Sequence, residues 1–161
     1  MTAETAHADA VRTGSGDLAA QPVAYWTWAA SQTLLRHIRA AMARADISQP
    51  QWWALNHVDA AERGLTRAEV RARLDAFLGE LGPDATGHAV DGLLHRGWLG
   101  ADGEGRLTLT EAGREAKART KTLVDGLRAE IHAGITDEEY VAALGVLQRM
   151  IRNVGGSAAP R

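Results

Sequence analysis

Histidines placed near carboxylates are the first candidates for chemistry in this chain. His57 precedes Asp59 by two residues and His88 precedes Asp91 by three, and a histidine beside a carboxylate can act as an acid-base pair. Such short separations also arise by chance. No Gly-rich phosphate loop, His-Glu-x-x-His or Gly-x-Ser-x-Gly motif accompanies them. We therefore assign no catalytic residue, and an enzymatic activity stays open.

Aromatic side chains form the second candidate site. Five of the eight aromatic residues lie on the first two predicted helices: Tyr25, Trp26, Trp28, Trp52 and Trp53. Tyr and Trp combine apolar area with one hydrogen-bonding group, which suits a flat aromatic ligand. His37 and His57 can supply a titratable contact. Arg36 or Arg39 can hold a carboxylate. Each Trp taken singly is more often part of a core, so a core role and a ligand role are both open.

Composition excludes several other kinds of site. The chain has 161 residues, no cysteine and six scattered histidines, so no metal or cofactor is expected. No apolar run approaches the roughly 18 residues that cross a bilayer, and residues 1–22 lack the basic and apolar order of a signal peptide. We expect a cytoplasmic protein without a membrane partner.

Helices must position these residues, and capping signals mark where the helices start. Capping boxes pair Ser48 with Gln51, Thr66 with Glu69 and Thr136 with Glu139. Apolar residues spaced by three or four positions continue each helix. The predicted helices are 23–45, 48–64, 66–81, 85–96, 110–134 and 136–154.

Residues 84–110 predict a helix followed directly by a small hairpin. Asp84 or Thr86 caps the helix, Gly97 ends it, and a strand from Trp98 turns through a Gly-rich tip into a return strand over 106–110. This order is typical of the reading head of a winged helix-turn-helix. The predicted fold class is mainly α with a small β-hairpin wing, in which a winged helix-turn-helix head joins a helical dimerisation region.

The motifs that complete this order resemble the MarR family of winged-helix transcriptional regulators. They are ISQPQWWAL at 47–55, LTRAEVRARL at 65–74, HAVDGLLHRGWL at 88–99 and LTLTEAGRE at 107–115. The resemblance implies a single domain over 23–154, in which 23–46 and 111–154 are dimerisation helices and 47–110 is the head. Residues 1–22 are then a flexible arm and 155–161 a loose tail.

A homodimer on double-stranded operator DNA is what the resemblance implies. The apolar stripes of the first, fifth and sixth helices also favour a second subunit, although these helices could instead fold back on their own subunit. In such dimers the first two helices border a ligand crevice. The residues expected to bind a small aromatic or phenolic ligand there are Tyr25, Trp26, Trp28, Arg36, His37, Trp53 and His57.

DNA contacts are carried over position by position. An exposed face of the fourth helix is expected to present base contacts from Thr86, Gly87, His88, Asp91 and Gly92. Phosphate contacts are expected from Arg67, Arg71, His95, Arg96 and Arg106.

The charge of the head departs from the family pattern. Between Gly64 and Glu115 there are six basic and nine acidic residues, a local charge of about −3, and the wing is ADGEGR in place of a longer wing with an Asp-x-Arg motif. Neutralisation of phosphates dominates affinity for DNA. Two functions therefore follow: a ligand-responsive regulator that binds DNA as a homodimer, or a repurposed dimer that has lost DNA reading and acts as a small-molecule binder or enzyme.

Overall fold

The computed structural model describes residues 17–78 and 84–158. It contains six long helices and one hairpin: α1 Val23–Arg44, α2 Gln49–Asp59, α3 Arg67–Leu78, α4 Ala85–His95, β1 Leu99–Ala101, β2 Leu107–Leu109, α5 Glu111–Ile131 and α6 Asp137–Asn153. Most of the predicted arm, the predicted end of the third helix at 79–83 and the last residues of the predicted tail lie outside the described residues. The fold class is the predicted one, mainly helical with a two-stranded antiparallel wing.

The chain divides into two compact units between Ile38 and Arg39. The first unit holds the N-terminal part of α1. The second holds the end of α1 and all later elements, so it contains the whole winged head together with α5 and α6.

Capping boxes start α2, α3 and α6, as predicted. The Ser48 hydroxyl accepts from the Gln51 backbone N–H at 3.3 Å while the Gln51 side chain accepts from the Ser48 N–H at 2.9 Å. The same reciprocal pair joins Thr136 to Glu139. Each box satisfies backbone donors that the first turn of a helix leaves unpaired, which is why these starts are readable from sequence.

The predicted ends of the second and the fifth helix need correction. The fifth helix ends at Ile131 and not at Gly134. The second helix ends at Asp59 and not at Gly64. Gly64 has a positive φ of 66° and precedes a β-bridge between Leu65 and Leu107. A Cβ on Gly64 would lie 2.4 Å from the Leu107 carbonyl oxygen, so this glycine permits a close approach of two backbones and does not end a helix.

Neither residue predicted to cap the fourth helix does so. Asp84 is the N-cap residue but its side chain makes no cap hydrogen bond. Thr86 is buried, and its hydroxyl donates to Asp75 Oδ1 at 3.3 Å. The Asp84 carboxylate instead lies 3.9 Å from the Arg71 guanidinium. Arg71 of α3 thus attracts the carboxylate that was predicted to cap α4.

The hairpin pairs Leu99 with Leu109 and Ala101 with Leu107. Leu107 and Leu109 are buried while Thr108 between them is exposed, the period-two pattern predicted for a half-buried strand. The hairpin leads straight into α5, because the Thr110 hydroxyl accepts from the Gly113 N–H at 3.0 Å and caps that helix.

One core holds the head together. The bulkiest fully buried side chains come from the end of α1, from α2, α3 and α4, and from β2: Met42, Leu55, Val58, Val70, Leu74, Val90, Leu93 and Leu107. This packing fixes α4 against α2 and α3.

Apolar side chains remain exposed outside the head. On α1 they include Tyr25, Trp26, Trp28 and Leu34. On α6 they are Val141, Leu144, Val146, Met150 and Ile151, and no described residue of α6 is buried. Within the described ranges, none of the helices combines the length and hydropathy that crossing a lipid bilayer requires.

Candidate nucleic-acid interface

Helix α4 presents one face to the core and the opposite face to solvent. Ala89, Val90 and Leu93 are buried, and the Gln51 side chain lies close to Gly92. The exposed positions are Gly87, His88, Asp91 and His95. Apolar residues at spacings of three and four produce this division, and the exposed face is the candidate face for contact with DNA.

Thr86 does not belong to that exposed face. It is only 3% exposed, because the helix rotation that buries Ala89, Val90 and Leu93 also turns position 86 toward α3. The expectation that Thr86 lies on the exposed face is therefore wrong. Gly92 is half-buried, at the edge of the face.

Arg67, the first residue of α3, is paired with a residue of α4. Its Nη1 lies 2.5 Å from Asp91 Oδ1. Both side chains stay more than half exposed, at 55% and 62%. A predicted phosphate contact and a predicted base contact thus bind each other.

Arg71, one turn further along α3, also lies among carboxylates. Its guanidinium is 3.5 Å from Asp75 and 3.9 Å from Asp84. Arg67 and Arg71 line a cleft of about 340 Å³ between α3 and α4, with Thr86 and Val90 on its other side.

Arg106, at the base of the wing, is held by the start of α3. Its Nη1 donates to the Gly64 carbonyl at 3.1 Å and lies 3.6 Å from Glu69 Oε2. The same Glu69 carboxylate accepts from the Thr66 backbone N–H at 2.7 Å and from its hydroxyl at 3.0 Å. These two hydrogen bonds, followed by the nearby arginine charges, lower the pKa of Glu69 below its ordinary value, so Glu69 is anionic beside Arg106 at neutral pH.

Arg96, just after α4, binds the turn between α1 and α2. Its Nη1 donates to the Asp46 carbonyl and its Nη2 to the Asp46 carboxylate, both at 2.5 Å, and its guanidinium lies 3.9 Å from the Trp98 ring centroid. Asp46 has a positive φ of 54°, a conformation that Asp tolerates better than most residues. Sequence reasoning assigned no role to Asp46, although an Asp just before the Ser48 cap is a recognisable turn signal.

The wing is short and its tip is acidic. Asp102 Oδ1 accepts from the backbone N–H groups of Glu104 and Arg106 at 2.9 and 2.8 Å, and Gly105 adopts a positive φ of 75°. The Asp102 carboxylate therefore builds the turn. Glu104 remains exposed at its tip.

All four predicted phosphate-binding arginines thus have a carboxylate within 4 Å. Their partners are Asp91 for Arg67, Asp75 and Asp84 for Arg71, Asp46 for Arg96, and Glu69 for Arg106. The acidic excess seen in the sequence is distributed so that it neutralises these particular cations. His88 and His95 are exposed on the outer face of α4.

The residues predicted to bind a ligand lie in both units. Tyr25, Trp26, Trp28, Arg36 and His37 are on the part of α1 that belongs to the first unit. There the Tyr25 and Trp26 rings meet edge to face at 5.4 Å, and Trp26 Nε1 donates to Gln21 Oε1 at 2.7 Å. Trp53 and His57 are half-buried on α2 in the second unit.

The second unit contains an apolar cavity that the sequence did not indicate. It measures about 410 Å³ and is lined by Arg39, Ala43, Ile47, Ser48, Gln49, Pro50 and Ala85. Ala85 is the first residue of α4, so the cavity lies between the turn after α1 and the start of α4. Arg39 contributes its guanidinium, whose Nε lies 3.4 Å from Gln49 Oε1.

The two possible acid-base pairs have their carboxylates engaged by cations. Lys117 Nζ lies 2.5 Å from Asp59, and Arg67 lies against Asp91. Among the described residues no three His, Asp or Glu side chains come together in a way that could hold a metal ion.

Solved structures of winged-helix regulators superimpose on the chain. The reduced form of MarR from E. coli is 20% identical, with a TM-score of 0.61, over 81% of this chain and 94% of that one. The transcriptional repressor CouR is 21% identical, with a TM-score of 0.64, over 81% and 93%. The Mycobacterium tuberculosis MarR family protein Rv2887 in complex with DNA is 20% identical, with a TM-score of 0.60, over 84% and 99%.

Rv2887 in complex with salicylic acid matches with a TM-score of 0.56 and the same 20% identity, over 84% of this chain and 100% of that one. Comparison with protein-family models and with curated protein sequences gives no match. Likeness at this level of identity reports on architecture. The chain therefore has the fold of the MarR-family transcriptional regulators.

Proposed function

We propose that this protein is a ligand-responsive transcriptional regulator that binds operator DNA as a homodimer. The observation that carries the proposal is the winged head itself: α4 is docked through a buried face, presents His88, Asp91 and His95 outward, and is followed at once by the wing. A helix held in this way can enter a major groove while the wing and α3 approach the backbone. The DNA-binding residues proposed here are those predicted above other than Thr86, which is buried, and Asp91, which is paired with Arg67.

Exposed apolar surface supports the homodimer. Leu144 and Ile151 are seven residues apart on one side of α6, and both are about two-fifths exposed. Apolar side chains left open at helical spacing are typical of a face that a second subunit covers. Two heads held by such a dimer can meet successive half-sites about one helical turn apart.

Replacing Leu144 and Ile151 together by aspartate is expected to convert the dimer into a monomer. Two carboxylates on the apolar side of α6 would have to be buried without partners in the dimer, whereas they are solvated in the monomer. Mass from light scattering during gel filtration measures the change, and circular dichroism checks that helix content is kept. Ala142→Asp is the matched control, since Ala142 is exposed on the opposite side of the same helix. An unchanged dimer in the double variant would contradict this interface.

The cavity near the start of α4 supports a small ligand. Its volume of about 410 Å³ lies in the range of roughly 300 to 1,000 Å³ that is usual for ligand pockets. Arg39 can pair with a carboxylate, while Ile47 and Pro50 offer apolar contacts. An aromatic or phenolic acid fits this combination, and salicylic acid is bound by the structural relative from M. tuberculosis. A ligand here would touch Ala85 and shift the population of α4 positions.

DNA binding at several salt concentrations tests the proposal. The full chain is titrated against a duplex taken from the DNA upstream of its own gene (the upstream duplex) and against a duplex of scrambled sequence. Fluorescence anisotropy measures binding between about 50 and 200 mM salt. We expect a preference for the upstream duplex that salicylate reduces. Equal affinity for both duplexes at low salt would contradict the regulator.

The second candidate function is that of a repurposed dimer that no longer binds DNA. The paired arginines of the head favour it. Arginines that are already paired with Asp91, Asp75 and Glu69 neutralise DNA phosphates poorly. Few counterions are then released from the DNA, so the affinity is low. If this second function is correct, the protein binds the ligand but binds neither duplex. Turnover of the ligand that His57→Ala abolishes would indicate an enzyme, and unchanged ligand would indicate a binder.

A further inference from the structure

The Arg67–Asp91 pair connects the two helices that would approach DNA. The two residues are 24 positions apart, and the fold brings their charged atoms to 2.5 Å. Asp91 is on the outer face of α4 and Arg67 is at the first position of α3. The pair stands beside the cleft between α3 and α4, which Arg67 and Gly87 also line.

Stability does not explain this pair. Both side chains are more than half exposed, and ion pairs in that environment contribute little to folding because water and salt screen them. An exposed pair of this kind is also easily exchanged. Another anion that reaches the cleft can take Arg67, while the Asp91 charge stays within a few ångströms on the rigid helix.

We propose that Asp91 is an internal competitor of DNA phosphate, and that it sets how strongly the head binds DNA by holding Arg67. This inference rests on the proposed function. A phosphate that approaches Arg67 must replace an existing carboxylate contact, so the exchange adds little net attraction. The effect is independent of base sequence. Asp91 therefore weakens binding to all DNA. The protein stays bound only at an operator, where contacts with the bases make up for the lost affinity for phosphate.

Asp91→Asn is the variant that tests the competitor. It keeps the size of the side chain and removes its charge, which frees Arg67 for phosphate. We expect affinity for both the upstream and the scrambled duplex to rise by about threefold to tenfold. The slope of log affinity against log salt should steepen by about 0.9 for each head that contacts DNA.

Asp125→Asn is the matched control. Asp125 is paired with Lys121 at 2.5 Å on α5 and is 60% exposed, so this variant makes the same change of net charge in a similar ion pair outside the head. Its affinity and salt slope should stay close to those of the unaltered protein.

Arg67→Ala separates competition from simple repulsion. If Asp91 acts through Arg67, Asp91→Asn gains nothing when Arg67 is already alanine, and the two changes are strongly coupled in a double-mutant cycle. A gain that persists in the Arg67→Ala background would overturn the proposal, as would equal effects of Asp91→Asn and Asp125→Asn.

Comparison of the two duplexes keeps this result apart from the proposed function. If Asp91→Asn gains affinity for both duplexes while neither protein prefers the upstream one, the competitor is supported and the regulator is contradicted. If the protein prefers the upstream duplex and Asp91→Asn changes nothing, the regulator stands and the competitor fails. Failure of every variant to bind either duplex at low salt would overturn both.

Discussion

Gly113→Ala is expected to destabilise the protein by about 3 kcal/mol or more. A Cβ on Gly113 would lie 1.9 Å from the Trp98 carbonyl oxygen and 2.8 Å from its carbon, well inside van der Waals contact. That carbonyl cannot move aside easily, because it accepts from the Thr110 N–H at 3.1 Å and lies 3.3 Å from the Thr110 hydroxyl. The clash would separate the hairpin from the first turn of α5.

Urea denaturation followed by circular dichroism measures this loss at a fixed protein concentration, since the stability of the proposed dimer would depend on concentration. Gly126→Ala is the control within the same helix. A Cβ on Gly126 meets nothing within 4 Å, so that variant should be stabilised by roughly 0.5 to 1 kcal/mol through helix propensity. Similar stabilities for the two variants would show that Gly113 does not pack against Trp98 as described.

Leu93→Ala is expected to cost about 2 to 5 kcal/mol of the free energy of unfolding. Leu93 is 0% exposed and lies on the buried face of α4. Removing most of its side chain takes away apolar contacts and leaves a cavity between α4 and the helices beneath it. The backbone carbonyl of Leu93 also accepts from the Trp98 N–H at 2.9 Å. A shift of α4 at Leu93 would therefore also weaken the attachment of the hairpin that follows Trp98.

Leu93→Met is the conservative comparison, with an expected cost below about 1.5 kcal/mol because it nearly preserves volume. The same urea experiment separates the two variants. A cost below about 1 kcal/mol for Leu93→Ala would contradict the packing of α4 through its buried face.

The role of Leu93 can be predicted from the sequence, whereas the role of Gly113 cannot. Leu93 is predictable as a core residue, because Val90, Leu93 and Leu94 recur at helical spacing. The need for glycine at 113 is not, since position 113 lies inside a helix where alanine is ordinarily preferred. Only the approach of the Trp98 carbonyl creates that requirement.

The head shows the same division in its charges. Sequence alone gives six basic and nine acidic residues between Gly64 and Glu115, and this indicates a weak electrostatic attraction for DNA. The structure adds the identity of each pair. Arg67 meets Asp91 across 24 residues and Arg96 meets Asp46 across 50, so the cations most suited to phosphate are the ones already occupied.

By itself the sequence determined where helices begin, where the hairpin lies and which residues alternate into the core. Those features depend on neighbours up to four residues away, as in the boxes at Ser48 and Thr136. Tertiary structure alone decided that Thr86 is buried, that Leu65 pairs with Leu107, that Arg39 and Ala85 share a cavity and that Asp91 holds Arg67. The reason is physical: such contacts arise from the packing of distant segments, and no local pattern in the chain encodes the distance between them.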